Sequence, residues 1–203
     1  MDLDLRDRVC VVTGSTGGIG LATVRLLVDE GGRVVTSGRS HAPNVGEALH
    51  VAADLSAPDA PAELIDAATE AFGAVDVLVN NVGTAYIASF EDVGDQEWEE
   101  MWQLNVMSYV RAIRAVLPQM RGRRQGVIVN VSSTAGKRPS TGMPNYSVTK
   151  AAVLSLSRLV ADLYAKDGVR CNAVAPGPTA TDAWLGDGGL ADQQAARTVA
   201  KSA

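Results

Sequence analysis

Six short runs rich in valine and isoleucine alternate with helical patterns along the chain, and this alternation restricts the fold more than any other feature. Several of the runs are continuously apolar, which is typical of strands that are covered on both faces. Strands separated by helices at this spacing form right-handed crossovers. The pattern therefore predicts an α/β fold with a doubly wound parallel sheet, whose strands are residues 8–13, 33–37, 49–53, 75–80, 127–131 and 169–173.

The helical patterns cover residues 19–30, 61–72, 96–120 and 146–166, and a short polar helix is predicted near 191–201. Glycine follows several of them, which suits helix C-termini. Between the second and third strands, residues 39–48 are too few for a crossover helix, so a tight turn or a single helical turn is expected there. No repeat or linker interrupts the pattern, and 203 residues favour one domain over residues 1–203.

Composition and charge limit the partners of the chain. The net charge of −5 gives no indication of nucleic acid or of an anionic membrane surface. Residues 1–6 lack the apolar core of a signal peptide and no stretch approaches a membrane span, so a cytoplasmic protein is expected. Cys10 and Cys171 lie in apolar runs without a C-x-x-C pattern, and His41 and His50 lie outside every motif. We therefore expect buried cysteines and no metal site.

A glycine-rich turn at residues 13–20 follows the first strand directly and leads into a helix. Glycines allow a tight turn and let the backbone approach a pyrophosphate, whose charge the helix N-terminus stabilises. In this position the turn predicts a dinucleotide site, although a tight strand–helix turn without a ligand is the alternative.

The end of the second strand bears on the choice of cofactor. A carboxylate there would bind the ribose diol of NAD, but the chain has Arg39 and Ser40 instead. A guanidinium recognises phosphate through two hydrogen bonds, so these residues favour NADP(H) over NAD(H). The alternative is that Arg39 is an ordinary solvated loop residue.

Tyr146 and Lys150 are four residues apart, so they share one helix face. A cation nearby favours the phenolate and is expected to lower the pKa of the tyrosine from about 10. Ser133, thirteen residues upstream, is placed to hydrogen-bond the oxygen that exchanges the proton. The spacing also arises by chance, and a half-buried tyrosine on a surface helix is the alternative.

Taken together, the motifs of the chain resemble those of the classical short-chain dehydrogenase/reductase family, which has a Rossmann fold. The resemblance spans residues 13–181 and preserves the family order. Its motifs are residues 13–20, Asp54-Leu55, residues 80–83, Asn105, Ser133, Tyr146 with Lys150, and Pro176-Gly177.

The resemblance implies a role for each matching residue. Tyr146 would be the acid–base residue, Lys150 would lower its pKa and hold the nicotinamide ribose, and Ser133 would polarise the substrate carbonyl. Asn105 would anchor a water that links Lys150 to solvent; a helix-interior asparagine satisfied by local backbone is the alternative. Asp54 would contact the adenine, cap the following segment, or do both. The implied cofactor-binding residues are Gly14, Ser15, Thr16, Gly18, Ile19, Gly20, Arg39, Ser40, Asp54, Leu55, Asn80, Asn81, Gly83, Tyr146, Lys150, Pro176, Gly177, Thr179 and Thr181.

The activity implied is hydride transfer between a nicotinamide and a carbonyl or secondary alcohol substrate, in the reductive direction with NADPH. Ketones, oxoacyl thioesters, sugars and steroid-like alcohols are substrates of similar family members. Two alternatives are a dinucleotide-binding sensor or regulatory protein with little turnover, and a sugar-nucleotide epimerase, which also uses Tyr-x-x-x-Lys. Candidate pocket residues, for which packing elsewhere is the alternative, are Tyr86, Met143, Trp184 and Leu185.

Relatives implied by the resemblance continue with another strand and helix, whereas this sequence stops within the predicted substrate loop region, residues 182–203. We therefore expect the family's last strand and helix to be lacking. The helices at 96–120 and 148–166 carry apolar residues at more positions than one face requires. In relatives they pair across a dimer axis, so a homodimer or homotetramer is expected, with a monomer as the alternative.

Overall fold

The computed structural model describes residues 3–39 and 41–200, and the side chains of residues 3–39 and 41–196. Six strands form one sheet in the order β3-β2-β1-β4-β5-β6, and every neighbouring pair is parallel. The predicted α/β class with a doubly wound parallel sheet is therefore confirmed. The strands are β1 (Val9–Val12), β2 (Arg33–Gly38), β3 (Leu49–Ala52), β4 (Val77–Asn80), β5 (Gly126–Val131) and β6 (Val169–Val174).

Burial on both faces of the sheet explains the continuously apolar strands. Successive side chains of a strand point to opposite faces. In β1, Val9 and Val11 belong to one buried cluster, whereas Cys10 and Val12 belong to the other. Cys10 and Cys171 are both buried, as predicted.

Eight α-helices cover the sheet or border its edge within the described residues. The larger buried cluster includes side chains of α2, α4 and α6, and the smaller one includes Val24 of α1. None of the described helices combines the length and apolar character that crossing a membrane requires. The helices are α1 (Gly18–Asp29), α2 (Ala60–Phe72), α3 (Asp95–Trp102), α4 (Ser108–Arg123), α5 (Thr134–Lys137), α6 (Pro144–Tyr164), α7 (Asp182–Leu185) and α8 (Leu190–Ala200).

The prediction of one continuous helix over residues 96–120 is wrong in its middle, because a π-helical turn at Gln103–Met107 separates α3 from α4. Asn105 lies in this turn, and its side chain bonds the backbone of the loop that follows β4. Its Nδ2 donates to the Thr84 carbonyl oxygen at 3.0 Å, and its Oδ1 accepts from the Thr84 amide at 2.9 Å. A π-turn of this kind is frequent at functional sites, and here it joins the helix pair to the sheet edge.

The short connection between β2 and β3 contains no helical turn in residues 41–48, so of the two predicted alternatives the tight turn is present. The Val45 amide donates to the Pro43 carbonyl oxygen, and the Ala48 amide donates to that of Val45. The strand order reverses between β1 and β4. In open parallel sheets, ligands bind in the crevice at the carboxyl ends of the strands beside such a reversal.

Candidate active site

An open cleft of about 1410 Å³ runs along the carboxyl edge of the sheet and receives residues from the segments after all six strands. Sites for drug-sized ligands enclose roughly 300–1,000 Å³, so this cleft can hold an elongated ligand together with a second molecule. Most of the predicted site residues line it, namely Gly14, Thr16, Gly18, Ile19, Arg39, Asp54, Leu55, Asn81, Gly83, Ser133, Tyr146, Lys150, Pro176, Gly177, Thr179 and Thr181.

Two residues of the glycine turn lie behind the cleft and support its shape. Ser15 is fully buried; its Oγ donates to the Val12 carbonyl oxygen at 2.7 Å and accepts from the Ser37 amide at 2.9 Å. A Cβ added at Gly20 would lie 2.5 Å from Asn81 Nδ2. Both residues thus hold the turn against β2 and the loop after β4, and their predicted cofactor contacts stay predictions.

Asn80 and Leu185 also lie away from the cleft lining. Asn80 is buried between strands, where its Nδ2 donates to Asn130 Oδ1 at 2.9 Å. Leu185 is 65% exposed and does not line the cleft, whereas Tyr86, Met143 and Trp184 do. Ser40 lies outside the described residues.

The glycine turn has the geometry that a pyrophosphate needs. Gly14 and Gly18 have φ of +60° and +53°, a region that favours glycine. A Cβ added at Gly17 would have no heavy atom within 4 Å, so the cleft is open at this point. No side chain caps the N-terminus of α1 and its first turn has no acidic residue, which leaves its partial positive charge available to an anion. These residues therefore fit a dinucleotide phosphate.

Arg39 and Asp54 lie together at the β2–β3 end of the cleft. Ser56 donates to Asp54 Oδ1 through its amide at 3.0 Å and through its hydroxyl at 2.8 Å. These hydrogen bonds, and after them the charge of Arg39, lower the pKa of the Asp54 carboxyl. Asp54 therefore caps the turn that follows β3, as one of its two predicted roles requires, while its contact with adenine stays a prediction.

Ser133, Tyr146 and Lys150 meet where β5, α5 and α6 converge. Ser133 is the N-cap of α5, where its Oγ accepts from the Ala135 amide at 3.1 Å, and a hydrogen bond from its side chain acts to lower the pKa of Tyr146. One helical turn after Tyr146, the Lys150 Nζ donates to the Val131 carbonyl oxygen at 2.8 Å. Nζ lies 5.7 Å from the centroid of the Tyr146 ring. The structure thus brings together the three residues that the sequence singled out for acid–base chemistry.

The expectation that the pKa of Tyr146 is lowered is wrong in this structure. Burial raises the pKa of the half-buried phenol, and the hydrogen bond from Ser133 opposes that rise only in part. Burial also lowers the pKa of Lys150 to about 8, so its ammonium is itself harder to maintain. Desolvation outweighs the hydrogen bond from Ser133, so the phenol keeps its proton, which is the form that a proton donor requires.

Asn105 is buried and its side chain is fully engaged. Besides its two bonds to Thr84, its Nδ2 contacts Met101 Sδ at 3.0 Å and Thr149 Oγ1 at 3.3 Å. The alternative was that local backbone satisfies this side chain. Local backbone does not account for its hydrogen bonds, because Thr84 is 21 residues away in the sequence. The water that the resemblance places at Asn105 stays a prediction.

Two residues beside the cleft were missed by the sequence reasoning. Asn145 is fully buried; its Nδ2 donates to the Tyr86 hydroxyl at 2.6 Å and its Oδ1 accepts from the Tyr146 amide at 2.8 Å. Gln193 of α8 accepts from the Ile87 amide at 3.0 Å and so ties this helix to the loop after β4. The position of Asn145 just before the tyrosine was a usable signal, whereas nothing local marks Gln193.

The buried Lys150 makes the stability of the fold depend on pH. Between its folded pKa of about 8 and the ordinary 10.5, the unfolded chain binds more protons than the folded one. The free energy of unfolding therefore rises with pH across this window, by up to about 1.4 kcal/mol per pH unit, and the cost of the buried ammonium is fully present below it. Lys150→Met is expected to abolish this rise.

Urea unfolding at several pH values between about 7 and 10 measures the free energy of unfolding of wild type and of Lys150→Met. The difference between the two isolates the effect of Lys150, because the contributions of the other titrating groups cancel. The matched control is Lys166→Met, which removes an exposed lysine beyond the end of α6. If the difference in unfolding free energy between wild type and Lys150→Met stayed constant across this pH range, the prediction would be contradicted.

Comparison with known proteins gives consistent matches over most of the chain. The family model described as short chain dehydrogenase matches residues 8–186. The uncharacterized oxidoreductase YvrD of Bacillus subtilis (strain 168) is 40% identical over 191 residues, which are 90% of this chain and 72% of YvrD.

Two solved structures are similar in fold and contain a cofactor. L-Sorbose reductase from Gluconobacter frateurii, complexed with NADPH and L-sorbose, has a TM-score of 0.86 at 33% identity over 91% of this chain and 74% of its own. The 3-ketoacyl-(acyl-carrier-protein) reductase from Brucella melitensis, complexed with NADH, has a TM-score of 0.85 at 29% identity over 88% of this chain and 78% of its own. Both nicotinamide cofactors thus occur among proteins of similar fold.

Proposed function

The chain belongs to the short-chain dehydrogenase family, and from this membership we propose that it is an NADPH-dependent carbonyl reductase in which Tyr146 donates the proton. Its relatives are oxidoreductases that act on CH–OH and C=O groups. The observation that supports the finer proposal best is the meeting of Ser133, Tyr146 and Lys150 in the cleft that begins at the glycine turn. These side chains match the chemistry of a carbonyl that gains a hydride and a proton.

Residues along the whole cleft would hold the cofactor, which when bound supplies the hydride. The turn at residues 14–19 and the N-terminus of α1 suit the pyrophosphate. Asn81 and Gly83 would line the adenosine side. Lys150 would hold the nicotinamide ribose, and Pro176, Gly177, Thr179 and Thr181 would lie near the carboxamide.

The chain's own residues account for the proton. The Tyr146 hydroxyl would donate it to the carbonyl oxygen as that oxygen becomes an alcohol, and the Ser133 hydroxyl would hydrogen-bond the same oxygen. The raised pKa of Tyr146 keeps the phenol protonated before the reaction. After donation, the Lys150 ammonium would stabilise the phenolate, because an opposite charge nearby favours the ionised form.

The preference for NADPH rests on Arg39, an exposed cation at the β2–β3 end of the cleft. Arg39→Ala is expected to raise KM for NADPH by about 10–100-fold, since charge-assisted hydrogen bonds contribute roughly 1.5–3 kcal/mol. KM for NADH should change little. Steady-state rates with each cofactor measure this, and Arg138→Ala, another exposed arginine of the cleft, is the control. Equal KM values for NADPH in wild type and Arg39→Ala would identify Arg39 as a solvated loop residue.

The reductase activity itself is tested by mixing the purified chain with NADPH and a panel containing a ketone, a diketone, a ketose and an oxoacyl thioester. Loss of NADPH absorbance with at least one carbonyl is expected. Cofactor binding without turnover across the panel would favour the alternative of a dinucleotide-binding sensor.

A homodimer or homotetramer is also part of the proposal. Val148, Leu159 and Leu163 of α6 are each about half exposed. At about 100° per residue, spacings of 11 and 15 place them within roughly 60° on one helix face. Such an apolar stripe suits a second copy of the chain, and sedimentation of the purified protein measures the assembly.

The single domain, the substrate loop at residues 182–203 and the cytoplasmic location stay predictions.

A further inference from the structure

The ammonium of Lys150 lies between two aromatic rings. Lys150 is only 3% exposed, and its Nζ is 5.4 Å from the centroid of the Tyr109 ring and 5.7 Å from that of Tyr146. A cation within about 6 Å of an aromatic ring centroid is attracted by the negative face of the ring, most strongly where water is excluded. Tyr146 has an evident role in the proposed reaction, but Tyr109 has none assigned.

Tyr109 and Lys150 also share one hydrogen-bond acceptor. The Tyr109 hydroxyl donates to the Val131 carbonyl oxygen at 3.2 Å, and Lys150 Nζ donates to the same oxygen at 2.8 Å. A carbonyl oxygen has two lone pairs and can accept both bonds. Tyr109 is fully buried in the first turn of α4, directly after the π-helical turn, so its ring has little freedom to move.

Compensation for the buried charge comes from few groups. None of the ion pairs found among the described residues includes Lys150, and burial is the one cause of its lowered pKa. The titratable groups that face it are the two phenols, of Tyr109 from α4 and of Tyr146 from α6. An unpaired buried ammonium is costly, and the groups placed to stabilise this one are the Val131 carbonyl and the two tyrosine rings.

We propose that Tyr109 is a positioning residue for Lys150, whose ammonium it holds against the Val131 carbonyl and beside Tyr146. The assignment rests on the proposed function, in which Lys150 stabilises the Tyr146 phenolate. It adds a fourth element, the helix α4, to β5, α5 and α6, which build the acid–base group. The ring face is the essential part, and the hydroxyl orients the ring.

The pKa of Lys150 can be measured without any substrate. The chain has four lysines, Lys137, Lys150, Lys166 and Lys201. Labelling them with ¹³C at Cε gives few NMR signals, and Lys150→Met assigns the signal of interest. Tyr109→Met removes the ring with a flexible side chain that fills gaps well, whereas Tyr109→Phe removes only the hydroxyl.

Tyr109→Met is expected to lower the pKa of Lys150 by about one unit and kcat/KM by about tenfold, and Tyr109→Phe should stay near wild type in both. Ile113→Ala, which opens a cavity one turn further along α4, should lower Tm without moving the pKa of Lys150. An unchanged or raised pKa in Tyr109→Met would overturn the proposal.

The measurement separates this proposal from the reductase function. The kinetic arm uses NADPH with the carbonyl panel, in which 2,3-butanedione is the diketone, and absence of turnover with every member in wild type would count against the reductase function alone. If Tyr109→Met does not fold, nuclear Overhauser contacts between the Lys150 ε-protons and the Tyr109 ring in wild type decide. Their presence is expected, and their absence would refute the positioning role.

Discussion

Tyr146→Phe is expected to lower kcat/KM for carbonyl reduction by about 10²–10⁴-fold, the usual contribution of a positioned acid–base group. The change removes only the hydroxyl. The phenyl ring stays beside the Lys150 ammonium, which lies 5.7 Å from its centroid, and the Ser133 hydroxyl still caps α5 by accepting from the Ala135 amide. Folding and cofactor binding should therefore stay close to wild type, and the loss should fall on the proton-transfer step.

NADPH absorbance in the presence of a carbonyl that wild type reduces measures this loss, and fluorescence titration with NADPH measures cofactor binding. Tyr164→Phe is the matched control. It makes the same chemical change at the end of α6, far along the helix from the cleft. There the centroid of the Tyr164 ring lies 5.3 Å from Arg121 Cζ. Full activity in Tyr146→Phe would show that another group donates the proton.

Gly14→Ala is expected to destabilise the fold by about 2–4 kcal/mol and to weaken cofactor binding strongly. Gly14 has φ of +60°, where a Cβ costs about 1–2 kcal/mol on conformational grounds alone. The added Cβ would also lie 2.6 Å from Val82 Cα, and backbone cannot move away as a flexible side chain can. Relief of this contact requires the turn and the loop after β4 to separate, which widens the site for the pyrophosphate.

Gly17→Ala tests the role of the glycine turn in cofactor binding without a large effect on the stability of the fold. A Cβ at Gly17 would have no neighbour within 4 Å and φ there is −161°, an extended conformation that any residue adopts. We expect a change in unfolding free energy below about 0.5 kcal/mol, typical of surface substitutions, together with weaker cofactor binding if the pyrophosphate lies against the turn. Urea unfolding and NADPH titration of both variants measure the two effects. Equal destabilisation by both changes would contradict this account of the turn.

The strands and the glycine turn could be predicted because their causes are local. Burial on both faces of the sheet makes a strand continuously apolar, as β1 is, and positive φ angles in a tight turn favour glycine, as at Gly14 and Gly18. Tyr146 and Lys150 could be paired because four residues make about one helical turn. Each of these inferences needs only the residues of one segment.

The features that escaped prediction depend on contacts between distant segments. The π-helical turn at Asn105 is tied to Thr84, and the Tyr109 ring reaches Lys150 from another helix. The short helices α5 and α7, of four residues each, are too brief for a periodic pattern. The pKa of Tyr146 was predicted in the wrong direction because spacing indicates a neighbouring charge, whereas burial is a property of the whole fold.

The buried amide pair of Asn80 and Asn130 aligns the two halves of the site. These residues are partners in the register of β4 and β5, and their side chains hydrogen-bond at 2.9 Å in the core. A slip of one residue would turn one amide to the opposite face of the sheet and leave buried polar groups unsatisfied, at a cost of roughly 1–3 kcal/mol each. Asn81 and Gly83 follow one strand and Ser133 follows the other. The pair therefore discriminates against misaligned sheets in which the cofactor side and the acid–base side would not face each other.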